Sequence, residues 1–304
     1  MRDIAIIGAG AMGCLFAARL AGAGANVTLV DVDDARLATL AAEGVTLADD
    51  AGEHVARVTA CRAEAAPGPA DLIILFTKGL HSRAAMQAAA PLIGPATIGL
   101  TLQNGLGNGE VMADTVPPAR VVHGITDFPA DLEGPARVST HGPGQSRLGG
   151  FVPDADDAAA RVAELLSAAG LPAVAEPAIE GAIWEKVAFN AALNALGAVT
   201  GRANAGIGPP PGRRIAFAIA AETAAVAAAK GVAVDLPTIQ TKIDFVFVHH
   251  PNHKSSMLQD RLAGRATEIE SINGAVQREG ERLGVPTPVT ATLADLVRLL
   301  ESPA

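Results

Sequence analysis

The chain has no tyrosine and a single tryptophan, Trp184, so stacking of nucleobases on aromatic rings is not a theme of its surface. Its net charge is −9 and no stretch gathers Lys and Arg into a basic stripe, which argues against nucleic acid as a partner. Cysteine is nearly missing. Cys14 and Cys61 match no metal-ligand spacing and fit a reducing compartment, with both thiols free. No run of large apolar residues is long enough for a membrane span. Ala216–Ala229 comes nearest, but Glu222 interrupts it and alanine is only weakly hydrophobic. The amino terminus enters an apolar strand almost at once, without a basic region and a long apolar run, so no secretory leader is expected. These absences point to a cytoplasmic protein that does not engage a membrane.

A length of 304 residues suits two domains. The first is expected over residues 1–176 as an α/β, Rossmann-type dinucleotide-binding domain, and the second over 177–304 as an all-α domain. Asp3–Ile7 reads as a buried strand. Gly8, Ala9, Gly10, Ala11, Met12 and Gly13 follow, and then a helical pattern from Cys14 to Leu20. This is G-x-G-x-x-G between a strand and a helix. In that setting the first glycine permits a tight turn, the second lets a pyrophosphate approach the backbone, and the third lets helix and strand pack closely. The helix start offers N–H groups and the positive end of its dipole to phosphate. A second strand, Val27–Val30, ends at Asp31, where a carboxylate can accept the ribose hydroxyls of NAD and repel a 2′-phosphate. Asp33 and Asp34 add to that repulsion, and one of them is expected to cap an Ala35–Glu43 helix. Leu72–Thr77 and Ile98–Leu102 read as further strands, ending at Lys78 and at Asn104, where ligands of open α/β sheets bind. Val121–Ile125, Ala136–Thr140 and Ser146–Leu148 suggest an antiparallel edge, before an amphipathic helix over Asp156–Ala169.

From Ile179 the strand signal nearly vanishes. Helices are expected over Ile179–Thr200, Arg213–Lys230, Pro237–Phe247, Glu268–Leu283 and Val289–Leu300, with Gly208–Gly212 as a rigid loop. Within the first of these, Lys186, Asn190 and Asn194 lie four residues apart. Each step of four turns a helix by roughly 40°, so they form one slowly turning stripe ~12 Å long. Asn is a poor helix former and needs a reason to sit mid-helix. An ammonium that donates a proton, beside amides that hold a carboxylate or hydroxyl, supplies one. His249, His250 and His253 have no acidic or Cys companion, and Pro251 breaks their spacing. No metal is expected there; they are read as lining a site beside Lys254, Ser255 and Ser256.

Taken together, G-A-G-A-M-G, T-K-G at Lys78, Q-N-G at Asn104, W-E-K-x-x-x-N-x-x-x-N, and S-S-M-L-Q-D followed by G-R-x-T-E-I-E-x-I-N-G resemble the ketopantoate reductase (2-dehydropantoate 2-reductase) family over the full length. The resemblance implies an NADPH-binding Rossmann domain and a 2-keto acid held against a helical domain. It implies Lys186 as proton donor, and Asn190, Asn194, Asn204 and Ser256 as substrate contacts. Lys78, Asn104 and Glu268 fall at cofactor-side positions, Asn104 also near the substrate, and Ala130 at a cofactor backbone contact. Three departures stand out. Asn194 is followed by Ala195 where members often have Pro. Asp31-Val32 replaces an Arg that grips the 2′-phosphate, so NAD(H) is favoured here over the family's NADP(H). His253 stands where a polar substrate contact is often Asn.

The expected reaction is hydride transfer between a nicotinamide and a small 2-keto or 2-hydroxy acid, ketopantoate being the family default. An NAD-linked D-2-hydroxy acid dehydrogenase, D-mandelate-like, is the nearest rival. A nucleotide-sensing protein that has lost the chemistry is the rival from another class, and the intact set Lys186, Asn190, Asn194, Ser256 and Glu268 argues against it. The Ala-rich helical faces suit a homodimer.

Overall fold

The computed structural model describes residues 1–302. The chain divides into two compact units: residues 1–103 with 108–179, and residues 104–107 with 180 onward. The segment Asn104–Gly107 therefore groups with the helical unit, which a contiguous division of the chain does not anticipate.

The first unit opens with β1 (Asp3–Ile7), α1 (Ala11–Gly22), β2 (Asn26–Val30), α2 (Asp34–Glu43), β3 (Val45–Asp49), β4 (Gly52–Ala56) and β5 (Thr59–Cys61). It continues through β6 (Ala70–Leu75), α3 (Gly79–Ala88), β7 (Ile93–Thr101), α4 (Asn108–Ala113) and β8 (Val121–Thr126). It closes with β9 (Asp131–Leu132), β10 (Arg137–Ser139), β11 (Ser146–Gly150), α5 (Asp156–Ala168) and β12 (Ala173–Ala175). Eight strands form the main sheet in the order β12-β11-β8-β7-β6-β1-β2-β5. All neighbours are parallel except β8 and β11. From β1 the order runs one way to β2 and the other way to β6, so the carboxyl end of β1 is a topological switch point, the usual ligand crevice of such sheets. Strands β1 and β6 are apolar and buried nearly throughout, as strands covered on both faces must be.

A second sheet, β4-β3-β10-β9, escaped the sequence reading except for β10, which pairs antiparallel with β9 as an antiparallel edge requires and also pairs in parallel with β3. The reason is local. Every residue of β4 up to Val55 is exposed, so no apolar alternation marks it.

The second unit holds nearly all of α6 (Ile179–Thr200), then α7 (Asn204–Ile207), α8 (Pro210–Ala229), α9 (Leu236–His249), α10 (Ser256–Leu262), α11 (Asn273–Leu283) and α12 (Pro288–Glu301). Its core gathers around α6, where Ala188, Ala191, Ala192, Leu193, Ala195, Leu196 and Ala198 are all buried. Helix α6 is apolar around most of its circumference, and a helix of that kind takes a central, buried place. Two expectations are corrected. Pro210–Gly212 is not loop but the first turn of α8, because Pro at the first helical positions carries the right φ and lacks an N–H that would be unpaired anyway. Helix α11 starts at Asn273, not Glu268. The carbonyls of Glu268 and Ile269 close short turns onto Ser271, Ile272 and Gly274, and buried Asn273 donates to the Ala191 carbonyl at 3.0 Å, which pins the helix start against α6.

Glu222, the residue that breaks the apolar run of α8, caps another helix. Its carboxylate accepts from the N–H groups of Val289 and Thr290 at 2.9 and 2.8 Å and from the Thr290 hydroxyl at 2.6 Å. Helix α12 has no cap from its own N-cap residue, Thr287. Glu222→Ala is expected to lower stability by about 1–2 kcal/mol, the usual cost of a lost cap. Urea unfolding should show this as a lower midpoint at unchanged slope; an unmoved midpoint means water replaces the cap.

Candidate active site

In the first unit the G-x-G-x-x-G turn joins β1 to α1. Gly8 has φ +107°, and a Cβ there would meet the backbone of Phe76 and Thr77 at 2.8 Å, so no other residue fits between the ends of β1 and β6. At Gly13 a Cβ would fall 1.9 Å from the Gly8 carbonyl oxygen, which lets α1 start directly against the turn. Gly10 differs: nothing lies within 4 Å of its Cβ position. It is also the N-cap of α1 and provides no side chain to cap the helix. This is open space before a helix start, the shape and polarity a pyrophosphate requires. A dinucleotide therefore fits the residues present.

A cavity of about 430 Å³ begins at this turn and is lined by Gly8, Gly10, Asp31, Val32, Arg62, Lys78 and His81, among others. Asp31 is half-buried and already engaged. One carboxylate oxygen accepts from Ala9 N–H at 2.7 Å, the other from Val32 N–H at 2.7 Å and Asp33 N–H at 3.1 Å. It thus shapes the glycine turn as well as facing the cavity. Asp33 caps α2, accepting from Arg36 N–H at 3.1 Å. Ala9 is buried, and Ala11 and Met12 open the first turn of α1. Cys14 follows, and burial pushes its thiol up to about 11, with Arg36 pulling the other way and Asp31 adding to the rise; it is a packing residue, not a nucleophile. Ala130 lies in the loop between β8 and β9, partly buried against the core of this unit.

The network that sets Lys78 was not anticipated. Buried Gln103 donates its amide to the Thr77 carbonyl and, at 2.8 Å, to the Ser82 hydroxyl, and accepts from Thr101 at 2.9 Å. The residue before Lys78 is thereby fixed to the end of β7 and to α3. The network's trace in the sequence is Gln103 itself, the first residue of the Q-N-G turn.

In the helical unit, α6 presents Lys186 and Asn190 half-buried and Asn194 buried, at 6% exposure. The Asn190 amide reaches the Asn104 side-chain oxygen at 3.5 Å, and the Asn104 amide reaches a Glu268 carboxylate oxygen at 3.4 Å. Asn104 is held in place by its neighbours. Gly105 has φ +93°, and the Leu106 N–H donates to the Ser271 carbonyl at 2.9 Å. The Asn194 amide donates to the Ser256 hydroxyl at 3.3 Å, and Ser255, buried beside it, donates to the Asn194 backbone carbonyl at 3.4 Å. Five of the expected residues thus fall into two hydrogen-bonded sets along one helix: Asn190 with Asn104 and Glu268, and Asn194 with Ser256.

Asn204 has different company. It is 4% exposed; its amide donates to the His250 carbonyl at 3.0 Å and its backbone N–H to the His253 carbonyl at 3.1 Å. It braces the turn that carries His253, itself exposed, into α10. Among the described residues no group of three or more His, Cys, Asp or Glu side chains is arranged to hold a metal ion. No described helix is long and apolar enough to cross a membrane.

A nucleotide cradle in one unit and an ammonium–amide stripe in the other suit an oxidoreductase that moves a hydride between a nicotinamide and a CH–OH group, and the chain is of that class. It belongs to the ketopantoate reductase PanE/ApbA family: the family model matches residues 4–152 and the model of the family's C-terminal part matches residues 178–301. A 2-dehydropantoate 2-reductase of Streptococcus pyogenes serotype M6 is 32% identical over 302 residues, 98% of this chain and 97% of that one. One from Halobacterium salinarum is 32% identical over 300 residues, covering 98% of each. Among solved structures, the ternary complex of a D-mandelate dehydrogenase with NADH and anilino(oxo)acetate is similar with a TM-score of 0.94 and 32% identity, covering 99% of this chain and 98% of that one.

Proposed function

We propose that the protein reduces a 2-keto acid, 2-dehydropantoate first among candidates, to the D-2-hydroxy acid, with NAD(H) preferred. The observation that carries this is the α6 stripe: an ammonium in line with two amides, each amide already paired with a second polar group suited to a keto acid. The first unit holds the cofactor and the second holds the acid. A bound nicotinamide supplies the hydride. Lys186 stabilises the charge that develops on the carbonyl oxygen and donates the proton to it. Ser256 and Asn194 hold the carboxylate, and Asn190 and Asn104 fix the carbonyl side. Asn204 and Gln103 act as positioning residues, the first for the His253 turn and the second for Lys78. In oxidation the roles reverse, and Lys186 must be neutral to accept the proton.

The preference for NAD(H) rests on Asp31. A carboxylate offers about four acceptor sites, and backbone N–H groups take three of them. Asp31 thus has room for about one ribose hydroxyl, and its charge opposes a 2′-phosphate. The likeness to an NADH-bound D-mandelate dehydrogenase supports the same cofactor and favours a second reading, an NAD-linked D-2-hydroxy acid dehydrogenase on this scaffold. The test is kcat/KM for NADH and NADPH on one keto acid. NADH is expected to win. A preference for NADPH would remove the Asp31 argument, and binding of NADH without turnover on any 2-keto acid would favour a sensor.

A further inference from the structure

At the rim of the nucleotide cavity the arginine is tied up. Arg62 follows β5 and lines the cavity together with Asp31 and Val32. Its Nε and Nη2 donate to the two carboxylate oxygens of Asp34 at 2.7 and 2.8 Å, and Nη2 also donates to the Val32 carbonyl at 3.0 Å. Those hydrogen bonds hold the Asp34 carboxyl below the usual range and raise the guanidinium. Arg36 is committed as well, donating to the Ala9 carbonyl at 2.8 Å. The end of β2 is where the adenosine ribose of a dinucleotide lies, so both nearby guanidiniums are engaged with the chain's own oxygens. Around them the carboxylates of Asp31 and Asp33 keep the local balance negative.

We propose that Asp34 is a second cofactor-selectivity residue: by holding Arg62 in a bidentate pair at the cavity rim, it withholds from a 2′-phosphate the guanidinium that would otherwise bind it. The inference rests on the reading of Asp31 as the ribose-facing acid. An unpaired guanidinium is the natural fork for a phosphate, and a fork already closed on a carboxylate is not available without breaking that pair. Val32, 79% exposed at the same rim, provides no polar group in its place. Asp34 is a positioning residue here, acting through Arg62, and neither residue takes part in proton or hydride transfer.

The test is fluorescence titration of NADH and NADPH at low salt with the wild type, Asp34→Ser, Arg62→Ala and the double variant. Asp34 is 75% exposed at its side chain, at the start of α2, and Ser suits a helix start, so the fold should hold; an NADH Kd within about twofold of wild type checks it. Asp34→Ser is expected to tighten NADPH about tenfold, as for a new charge-assisted contact. The double variant should lose most of that gain, and the gain should fade as salt is added. No gain in Asp34→Ser overturns the inference. So does an equal gain in the double variant, which would mean that Asp34 acts by its own charge alone. A wild type that already prefers NADPH overturns the Asp31 reading and the inference with it, whereas NADH preference without a gain in Asp34→Ser overturns only the inference.

Discussion

Lys186→Ala is expected to cut kcat by about a hundredfold or more, the usual contribution of a positioned general acid, while NADH affinity changes little. Lys186 is the cation of the α6 stripe, half-buried one turn before Asn190. A proton must reach the carbonyl oxygen as the hydride reaches carbon, and the stripe's amides are far too weakly acidic to give one up. Lys186→Arg separates two roles. A guanidinium keeps the positive charge but surrenders its proton poorly, so this variant should retain acid binding and still lose turnover. A near-normal kcat in Lys186→Ala with only KM raised would mean that the residue merely binds substrate.

The second large effect concerns the acid. Ketopantoate, its 4-deoxy analogue and phenylglyoxylate should be ranked by kcat/KM. A site built to hydrogen-bond a hydroxyl rejects the analogue that lacks it by ~10⁴-fold, whereas an apolar pocket discriminates far less. If ketopantoate exceeds its deoxy analogue by that margin, the reductase reading stands and His253 is a tolerated change. If the aryl acid wins, the protein is a D-2-hydroxy acid dehydrogenase. Failure of all three with either cofactor would reject the substrate class. His253 is the residue to watch, because an imidazole is bulkier than an amide and when neutral has one donor and one acceptor. Its position depends on Asn204, which holds the carbonyls of His250 and His253.

Much of this was legible because certain residues have few uses. Glycines spaced as Gly8, Gly10 and Gly13 between an apolar strand and a helix mean close backbone approach; Gly8 and Gly13 each have a separate steric reason, and Gly10 borders open space. The bounds of α6 could be read from an Ala- and Leu-rich run without Pro. Asn204 shows the limit. An amide that grips a ligand and one that grips a backbone carbonyl look alike in a sequence, so neither its burial nor its 3.0 Å contact to His250 was legible there. The Arg62–Asp34 pair was hidden for another reason, since its members come from separate strand–loop connections that only the pairing of β2 with β5 brings together. Strands such as β4, exposed and short, carry no periodic signal at all.

The four residues Asn104–Gly107 have a consequence for anyone recombining relatives of this protein. They are encoded in the middle of the nucleotide half, yet Leu106 and Asn104 make their hydrogen bonds with Ser271 and Glu268, far along the chain. A graft joined at Ile179 would take the loop from one parent and its anchor from the other. The heritable module is thus discontinuous: a chimera that is to keep its parent's helical unit must carry that parent's Asn104–Gly107 as a second, separate insert.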